Sequence, residues 1–166
     1  ALGKFIAEAQ KKPWFKNTVF VIVADHCAGS AGKWEINIDK HHIPAIIYNL
    51  PHEAQRIDRL ASQIDLMPTL FGYLNWNYNT AFYGKDINQV KAGEERAFIG
   101  NYRTLGILKQ NLFTQIDDRK RIKQFSVSEK DQSLSELRRQ TKELVLETIS
   151  SYQTASERFK NGKMKE

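Results

Sequence analysis

The unbroken apolar run at residues 19–24 constrains the fold more than any other feature of the sequence. Six apolar residues without alternation indicate a β-strand covered on both faces, which is typical of parallel sheets. A second such run follows at residues 43–48, with Pro44 near its start, where a missing N–H matters least. The connection between the runs contains Gly29-Ser30-Ala31-Gly32 and predicts a loop, not a crossover helix. The two runs therefore predict neighbouring or near-neighbouring strands of one sheet in an α/β protein.

Length and composition narrow the class of protein. The chain has 166 residues, of which 41% are apolar and 27% charged, which is enough for one compact domain with a buried core and excludes wholesale disorder. No apolar run approaches the length of a membrane span. Cys27 is the single cysteine, so the sequence excludes a disulfide framework and a zinc site of the Cys-x-x-Cys type.

The remaining segments predict a helix on the first sheet and a second, smaller sheet. Residues 65–74 predict a helix with Asp65 as its N-cap and Met67, Leu70, Phe71 and Leu74 on one apolar face. Short apolar runs between residues 96 and 127 predict an antiparallel meander. The capping-box pattern of Ser133 and Glu136 predicts a long helix over residues 133–161, ended by Asn161-Gly162. We therefore divide the chain into residues 1–95 and 96–166.

The charge of +6 is unevenly distributed along the chain. Residues 1–118 carry 13 basic and 12 acidic groups, whereas residues 119–166 carry 12 and 7. Because basic residues alternate with Glu along the predicted helix, a solvated face is favoured over a nucleic-acid-binding stripe. A non-catalytic module that binds nucleic acid or anionic lipid through this basic C-terminal helix stays open as an alternative.

Asp25 and His26 are the strongest candidates for chemistry. They follow the first apolar run directly, and ligands of open α/β sheets collect at the carboxyl ends of strands. A carboxylate and an imidazole there can bind one divalent cation, whereas the bland alternative is a turn cap and a loop histidine.

Other candidates carry weaker signals. Lys33 and His42 could donate charge-assisted hydrogen bonds to an anionic oxygen of a ligand. Alternatively, Lys33 is simply solvated and His42 hydrogen-bonds a backbone group. We interpret His41 and His52 as structural. Cys27 is not followed by the Pro-x-Arg that a modified sulfatase cysteine needs, so we interpret it as a small buried side chain.

Several segments together resemble the lipoteichoic acid synthase group, which comprises phosphoglycerol transferases of the sulfatase/alkaline phosphatase superfamily. The resemblance is specific up to about residue 103 and looser beyond it. It is carried by residues 17–26 with Asp25-His26, residues 30–33 with Lys33, residues 39–48 with His42, residues 63–70, residues 82–86 and, near the end, residues 152–155.

This resemblance implies part of an alkaline-phosphatase-like α/β sandwich with a small C-terminal antiparallel sheet and a closing helix. It implies a metal-dependent enzyme in which a Thr attacks a phosphodiester or sulfate ester, and in which Asp25 and His26 match the late Asp-His metal ligands. The implied metal is Mn²⁺, with Zn²⁺, Mg²⁺ and Ca²⁺ as alternatives, and Lys33 and His42 are implied substrate-binding residues. The sulfatase reaction is the alternative activity on the same fold.

The resemblance also implies parts that this sequence does not contain. No segment matches the family's nucleophile motif, so we assign no catalytic nucleophile and expect the chain alone to be inactive. We expect as partners the N-terminal half of the same enzyme, an anionic phosphodiester or sulfate ester, and self-association over exposed sheet edges, with no nucleic acid. The implied location is the extracytoplasmic face of the cell membrane, through N-terminal membrane helices outside this sequence.

Overall fold

The two apolar runs pair with each other in a two-stranded sheet. The computed structural model describes residues 1–27 and 36–164. Strand β1 (Phe20–Val23) pairs with β2 (Ala45–Tyr48), with Phe20 opposite Tyr48 and Val23 opposite Ala45. The prediction of neighbouring strands is confirmed, but the parallel direction is wrong because the pairing is antiparallel. The predicted covering of both faces is also wrong in this structure, because the residues of β1 are half-buried and Ala45 and Ile46 of β2 are exposed.

Aromatic contacts hold the first helix against this sheet. Helix α1 (Leu2–Ala9) places the ring of Phe5 edge-on to that of Phe20, with 5.9 Å between ring centroids. At the end of β2, Asn49 adopts a left-handed backbone with φ of 71°. Its side-chain amide donates to the carbonyls of Phe15 and Thr18, each at 2.8 Å. The end of β2 is thereby fixed against the start of β1.

Helix α2 (Leu66–Tyr73) begins from a 3-10 turn, Gln63–Asp65, and its cap differs from the prediction. The capping residue is Ser62, and the Asp65 carboxylate reaches back to the Ser62 N–H at 2.8 Å in a capping box. The Asp65 side chain is therefore buried at the third position of the turn and does not cap α2. On the predicted apolar face Leu70 is buried, but Met67 is 42% exposed.

The C-terminal region is a five-stranded antiparallel meander followed by a helix. The strands run in order as β3 (Arg96–Gly100), β4 (Thr104–Lys109), β5 (Leu112–Asp117), β6 (Ile122–Val127) and β7 (Leu134–Glu136). The predicted meander is confirmed, and helix α3 (Lys142–Lys160) ends at Asn161 and Gly162, whose φ is +67°.

The predicted helix start at residue 133 is wrong. Residues 134–136 form β7, with Ser126 paired to Ser135 and Leu134 packed against the core of the sheet. The Ser133 hydroxyl donates to the Asp131 carboxylate at 2.7 Å. Burial of Leu134 and the strand pairing thus override the local capping-box pattern, and the helix begins only at Lys142.

The core of the larger sheet includes residues from the first part of the chain. Phe113 is fully buried at its centre, and its buried neighbours are Ile36, Ile38, Ala97, Ile99 and Leu108. Ile36 and Ile38 lie between β1 and β2 in sequence, so the predicted division at residues 95 and 96 is crossed by shared core packing. That division stays a prediction. In the part of the chain that the structure describes, no helix is long and apolar enough to cross a membrane.

Candidate metal centre

Asp25 and His26 follow directly from the end of β1, and the backbone around them is held on several sides. The Ala24 N–H donates to the Pro44 carbonyl at 3.2 Å, which continues the pairing with the segment before β2. The Cys27 thiol donates to the His42 carbonyl at 2.8 Å. The Gln63 side-chain amide donates to the Ala24 carbonyl at 3.3 Å. The turn is therefore tied to both neighbouring segments.

The two side chains lie side by side and face solvent. The Asp25 Oδ2 and His26 Nε2 atoms are 3.6 Å apart, and the side chains are 89% and 66% exposed, respectively. The Asp25 Oδ1 accepts the backbone N–H of His26 at 3.0 Å. Oδ2 thus points toward the imidazole while the other carboxylate oxygen fixes the turn.

The second ring nitrogen of His26 determines which tautomer faces Asp25. Nδ1 lies 2.9 Å from the Cys27 carbonyl, and a carbonyl oxygen can only accept, so Nδ1 carries the hydrogen. In the neutral ring, Nε2 is then an unprotonated acceptor aimed at the carboxylate. A backbone carbonyl that orients a histidine in this way is the usual outer partner of a metal-ligating imidazole.

This arrangement fits a divalent cation. In the neutral ring, two acceptor atoms face each other, and a divalent cation between them would bind both. Metal–ligand distances of about 2.0–2.2 Å to nitrogen and carboxylate oxygen are compatible with donors 3.6 Å apart. The pair supplies two donors, whereas a catalytic metal commonly has three protein ligands and an open position. Among the described residues, no group of three or more His, Cys, Asp or Glu side chains is arranged to hold a metal ion.

The other candidate residues from the sequence are His42, Lys33, His41, His52 and Cys27. His42 is exposed beside the pair and contributes its carbonyl to the Cys27 contact, whereas Lys33 lies outside the described residues. His41 directs Nδ1 at the Asn37 carbonyl at 2.7 Å, and His52 lies against the ring of Tyr73. Cys27, which was predicted to be buried, is half-buried.

Asp25 and His26 line a broad, open cavity with a volume of about 2030 Å³. Its lining includes Arg56 and Tyr102, for which the sequence carries no specific signal. The Tyr102 side chain is fully exposed at the turn between β3 and β4. The only sequence signal for it was its place in a polar turn between two strands, which is too common to mark a functional residue.

The basic residues of the C-terminal region do not lie mainly along the helix, as the sequence analysis expected for either a solvated face or the alternative binding stripe. Only three of the twelve lie in α3, namely Lys142, Arg158 and Lys160. Outside the helix, Arg121 pairs with Asp117 at 2.6 Å and Lys123 pairs with Glu136 at 2.8 Å. The positive charge is thus distributed over strands and turns as well as the helix, and part of it is paired.

Known proteins resemble this chain both in the sequence around Asp25 and His26 and in the fold as a whole. Residues 1–76, which contain Asp25 and His26, match the family model described as Sulfatase. A solved protein in the alkaline phosphatase superfamily from Vibrio parahaemolyticus matches 99% of this chain with a TM-score of 0.89 and 23% sequence identity. The chain shares the fold of the matching part of that protein. The predicted α/β class, with a small antiparallel sheet and a long C-terminal helix, is confirmed.

These comparisons support a relationship of the chain to sulfatase and alkaline phosphatase superfamily enzymes. The chain spans 40% of the length of the solved alkaline phosphatase superfamily protein.

Proposed function

We propose that this chain is part of a metal-dependent enzyme that acts on phosphodiester or sulfate esters, with Asp25 and His26 as two of its metal ligands. The observation that carries the proposal is the 3.6 Å separation of Asp25 Oδ2 from His26 Nε2, with Nδ1 held by the Cys27 carbonyl. A divalent cation bound there would lower the pKa of an attacking hydroxyl and offset negative charge on the transferred group.

The residues of this chain have distinct parts in that chemistry. The Asp25 carboxylate would compensate the charge of the cation. The Cys27 carbonyl would keep the His26 ring oriented with Nε2 toward the cation. His42 and Lys33 would donate hydrogen bonds to oxygens of the anionic ester. We assign no nucleophile to this chain.

We further propose a phosphoglycerol transferase of the lipoteichoic acid synthase type, with Mn²⁺ as the metal, at the extracytoplasmic face of the cell membrane. This finer assignment rests on the sequence resemblance described above. The match of residues 1–76 to the sulfatase family favours sulfate-ester hydrolysis as the second candidate. The nucleophile distinguishes the two, since a threonine suits phosphoryl transfer and a modified cysteine or serine suits sulfate esters.

The assay that tests the proposal compares this chain with a longer protein that contains it and the rest of the fold. The substrates are a chromogenic phosphodiester, bis(p-nitrophenyl) phosphate, and a chromogenic sulfate ester, p-nitrophenyl sulfate, each with Mn²⁺. We expect the longer protein to turn over one of them, Asp25→Ala to abolish turnover, and His52→Ala to preserve it. We expect no turnover by the 166-residue chain alone.

Two results would contradict the proposal. If the longer protein kept its turnover after Asp25→Ala, this residue would not be a ligand of the catalytic metal. If the 166-residue chain alone turned over either ester and lost that activity in Asp25→Ala, the site would be complete within this chain.

A further inference from the structure

One end of the five-stranded sheet concentrates positive charge. It is formed by the β3–β4 turn (residues 101–103), the β5–β6 turn (residues 118–121) and residues 137–140, and we name these three segments the basic end. They hold six basic residues and one acidic residue. The turns at the opposite end of the sheet, residues 110–111 and 128–133, hold one basic and two acidic residues. The two ends of the sheet therefore differ strongly in charge.

The strand pairing places the two turns of the basic end side by side. Thr104, the first residue of β4, is paired with Asp117, the last residue of β5. The Arg103 guanidinium pairs with the Asp118 carboxylate at 2.7 Å and joins the two turns directly. The turns thus form one continuous surface.

Hydrogen bonds bring the third segment beside the β5–β6 turn. The Leu137 N–H donates to the Gln124 carbonyl at 2.8 Å, and the Gln140 side-chain amide donates to the Ile122 carbonyl at 3.0 Å. The two arginines of this segment lie between these contacts in sequence. They are therefore held next to the start of β6, close to basic residues that precede them in the chain by about 20 positions.

The acidic groups at these turns are already engaged. Asp118 pairs with Arg103, and the Asp117 carboxylate pairs with Arg121 at 2.6 Å while it accepts the N–H groups of Arg119 and Arg121 at 2.9 Å each. In the described part of the chain, four exposed basic side chains of the basic end have no hydrogen-bond or ion-pair partner: Arg119, Lys120, Arg138 and Arg139. Burial of four uncompensated charges against protein would be costly, so this end is suited to water or to an anionic surface.

Tyr102 lies at the same end, and its side chain is fully exposed. The turn around it is fixed, because Asn101 Oδ1 accepts the N–H groups of Arg103 and Thr104 at 2.9 Å each. A tyrosine combines an apolar ring with a polar hydroxyl, and this combination is enriched where proteins meet the headgroup region of a bilayer.

We propose that the basic end binds the surface of an anionic phospholipid bilayer, with its four unpaired cations on headgroup phosphates and the ring of Tyr102 among the headgroups. Tyr102 also lines the cavity that contains Asp25 and His26, so this contact would bring the cavity to the membrane surface. The binding is independent of the proposed metal chemistry, because it needs only the charge and exposure of this end.

Nucleic acid, the other common polyanion, fits less well. Tyr102 is the only aromatic residue of the three segments, so they offer no row of rings on which single-stranded bases could stack. The unpaired cations lie in a turn and an irregular segment, and not on a helix that could enter the groove of a duplex. A bilayer needs neither feature, because each Lys or Arg near an anionic surface strengthens binding about fivefold.

The test is co-sedimentation of the 166-residue chain with vesicles of equal parts phosphatidylglycerol and phosphatidylcholine. We expect binding that weakens as salt is added, and no binding to vesicles of phosphatidylcholine alone. The double substitution Arg119→Gln and Lys120→Gln should weaken binding at least about tenfold. The matched control, Lys130→Gln with Lys160→Gln, removes two charges outside the basic end and should leave binding within about twofold.

A further variant tests the ring separately from the charges. Tyr102→Ala should weaken binding by a factor that does not depend on salt concentration, with an unchanged thermal midpoint because the side chain is fully exposed. The proposal is overturned if the chain does not bind the anionic vesicles, if it binds neutral vesicles equally well, or if the control weakens binding as much as the Arg119 and Lys120 substitutions. It is equally overturned if a DNA duplex, at equal phosphate and salt concentrations, binds more tightly than the anionic vesicles.

Discussion

Asp65 and Arg96 form a buried, bidentate ion pair that joins the start of α2 to the first strand of the C-terminal sheet. The two guanidinium–carboxylate distances are 2.8 and 2.9 Å, and the side chains are 2% and 5% exposed. Asp65 also accepts the N–H groups of Ser62 and Lys85, while Arg96 donates to the Tyr83 carbonyl. Both carboxylate oxygens and both terminal guanidinium nitrogens of this pair are thus hydrogen-bonded, and the start of α2 is fixed to β3.

Removal of one partner should therefore leave an unpaired buried charge. We expect Asp65→Ala to lower the free energy of unfolding by about 3–5 kcal/mol, measured by urea denaturation. Asp58→Ala, which breaks the exposed Arg56–Asp58 pair, is the matched control and should have little effect. Equal effects of the two substitutions would contradict the assigned role of the buried pair.

Substitution of two glycines tests the backbone packing next to Asp65. A Cβ on Gly84 would lie 1.9 Å from the Ile64 carbonyl oxygen, whereas a Cβ on Gly3, in α1, would meet nothing within 4 Å. We expect Gly84→Ala to lower the thermal midpoint because backbone must move. Gly3→Ala should stabilise by about 0.5–1 kcal/mol through helix propensity. Changes of the same sign in both variants would contradict this packing.

Much of the fold and the location of the site could be predicted from the sequence, because those features depend on local patterns. Residues that are close in sequence determine the apolar runs of β1 and β2, the short strands of the meander and the helix end at Gly162. The place of Asp25 and His26 at a strand end follows directly from the run before them. Their 3.6 Å approach agrees with the predicted metal pair, whose ligand role stays a proposal.

The parts that could not be predicted depend on contacts between distant residues. The sequence around Ser133 satisfies a capping box, but pairing with β6 makes residues 134–136 a strand. Asp65 suits a helix cap, but its carboxylate is directed by Arg96, 31 residues away.

Acid should destabilise the protein through Glu95. The hydrogen bond from Arg59 holds the pKa of Glu95 below its ordinary value of 4.5, so the folded state prefers the charged form. The stability that this carboxylate contributes is present above that value and is lost as pH falls through the lowered pKa. We expect the thermal midpoint to fall between about pH 5 and pH 3, and to fall less in Glu95→Gln. The thermal midpoint of the exposed Glu53→Gln variant should depend on pH as that of the unsubstituted chain does. If the thermal midpoint of Glu95→Gln also did so, Glu95 would not be the group responsible.

Alkali should act through Tyr152. Burial raises the pKa of Tyr152 to about 12 from 10.0, and the neutral hydroxyl donates to the Gly106 carbonyl at 2.8 Å. Because the folded state holds the proton more tightly, stability is present below pH 10.0 and declines as pH rises toward 12. We expect Tyr152→Phe to remove this part of the decline in the thermal midpoint. The same alkaline slope in both proteins would refute the role of Tyr152.

The most direct test of the central claim is a Mn²⁺ titration followed residue by residue by NMR. Paramagnetic broadening should begin at the amides of Asp25, His26 and Cys27, then reach His42, whose carbonyl accepts the Cys27 thiol. It should disappear in Asp25→Asn and in His26→Gln, and persist in the matched control His52→Gln. Broadening centred elsewhere in the chain, or undiminished in Asp25→Asn, would show that Asp25 and His26 do not bind the metal.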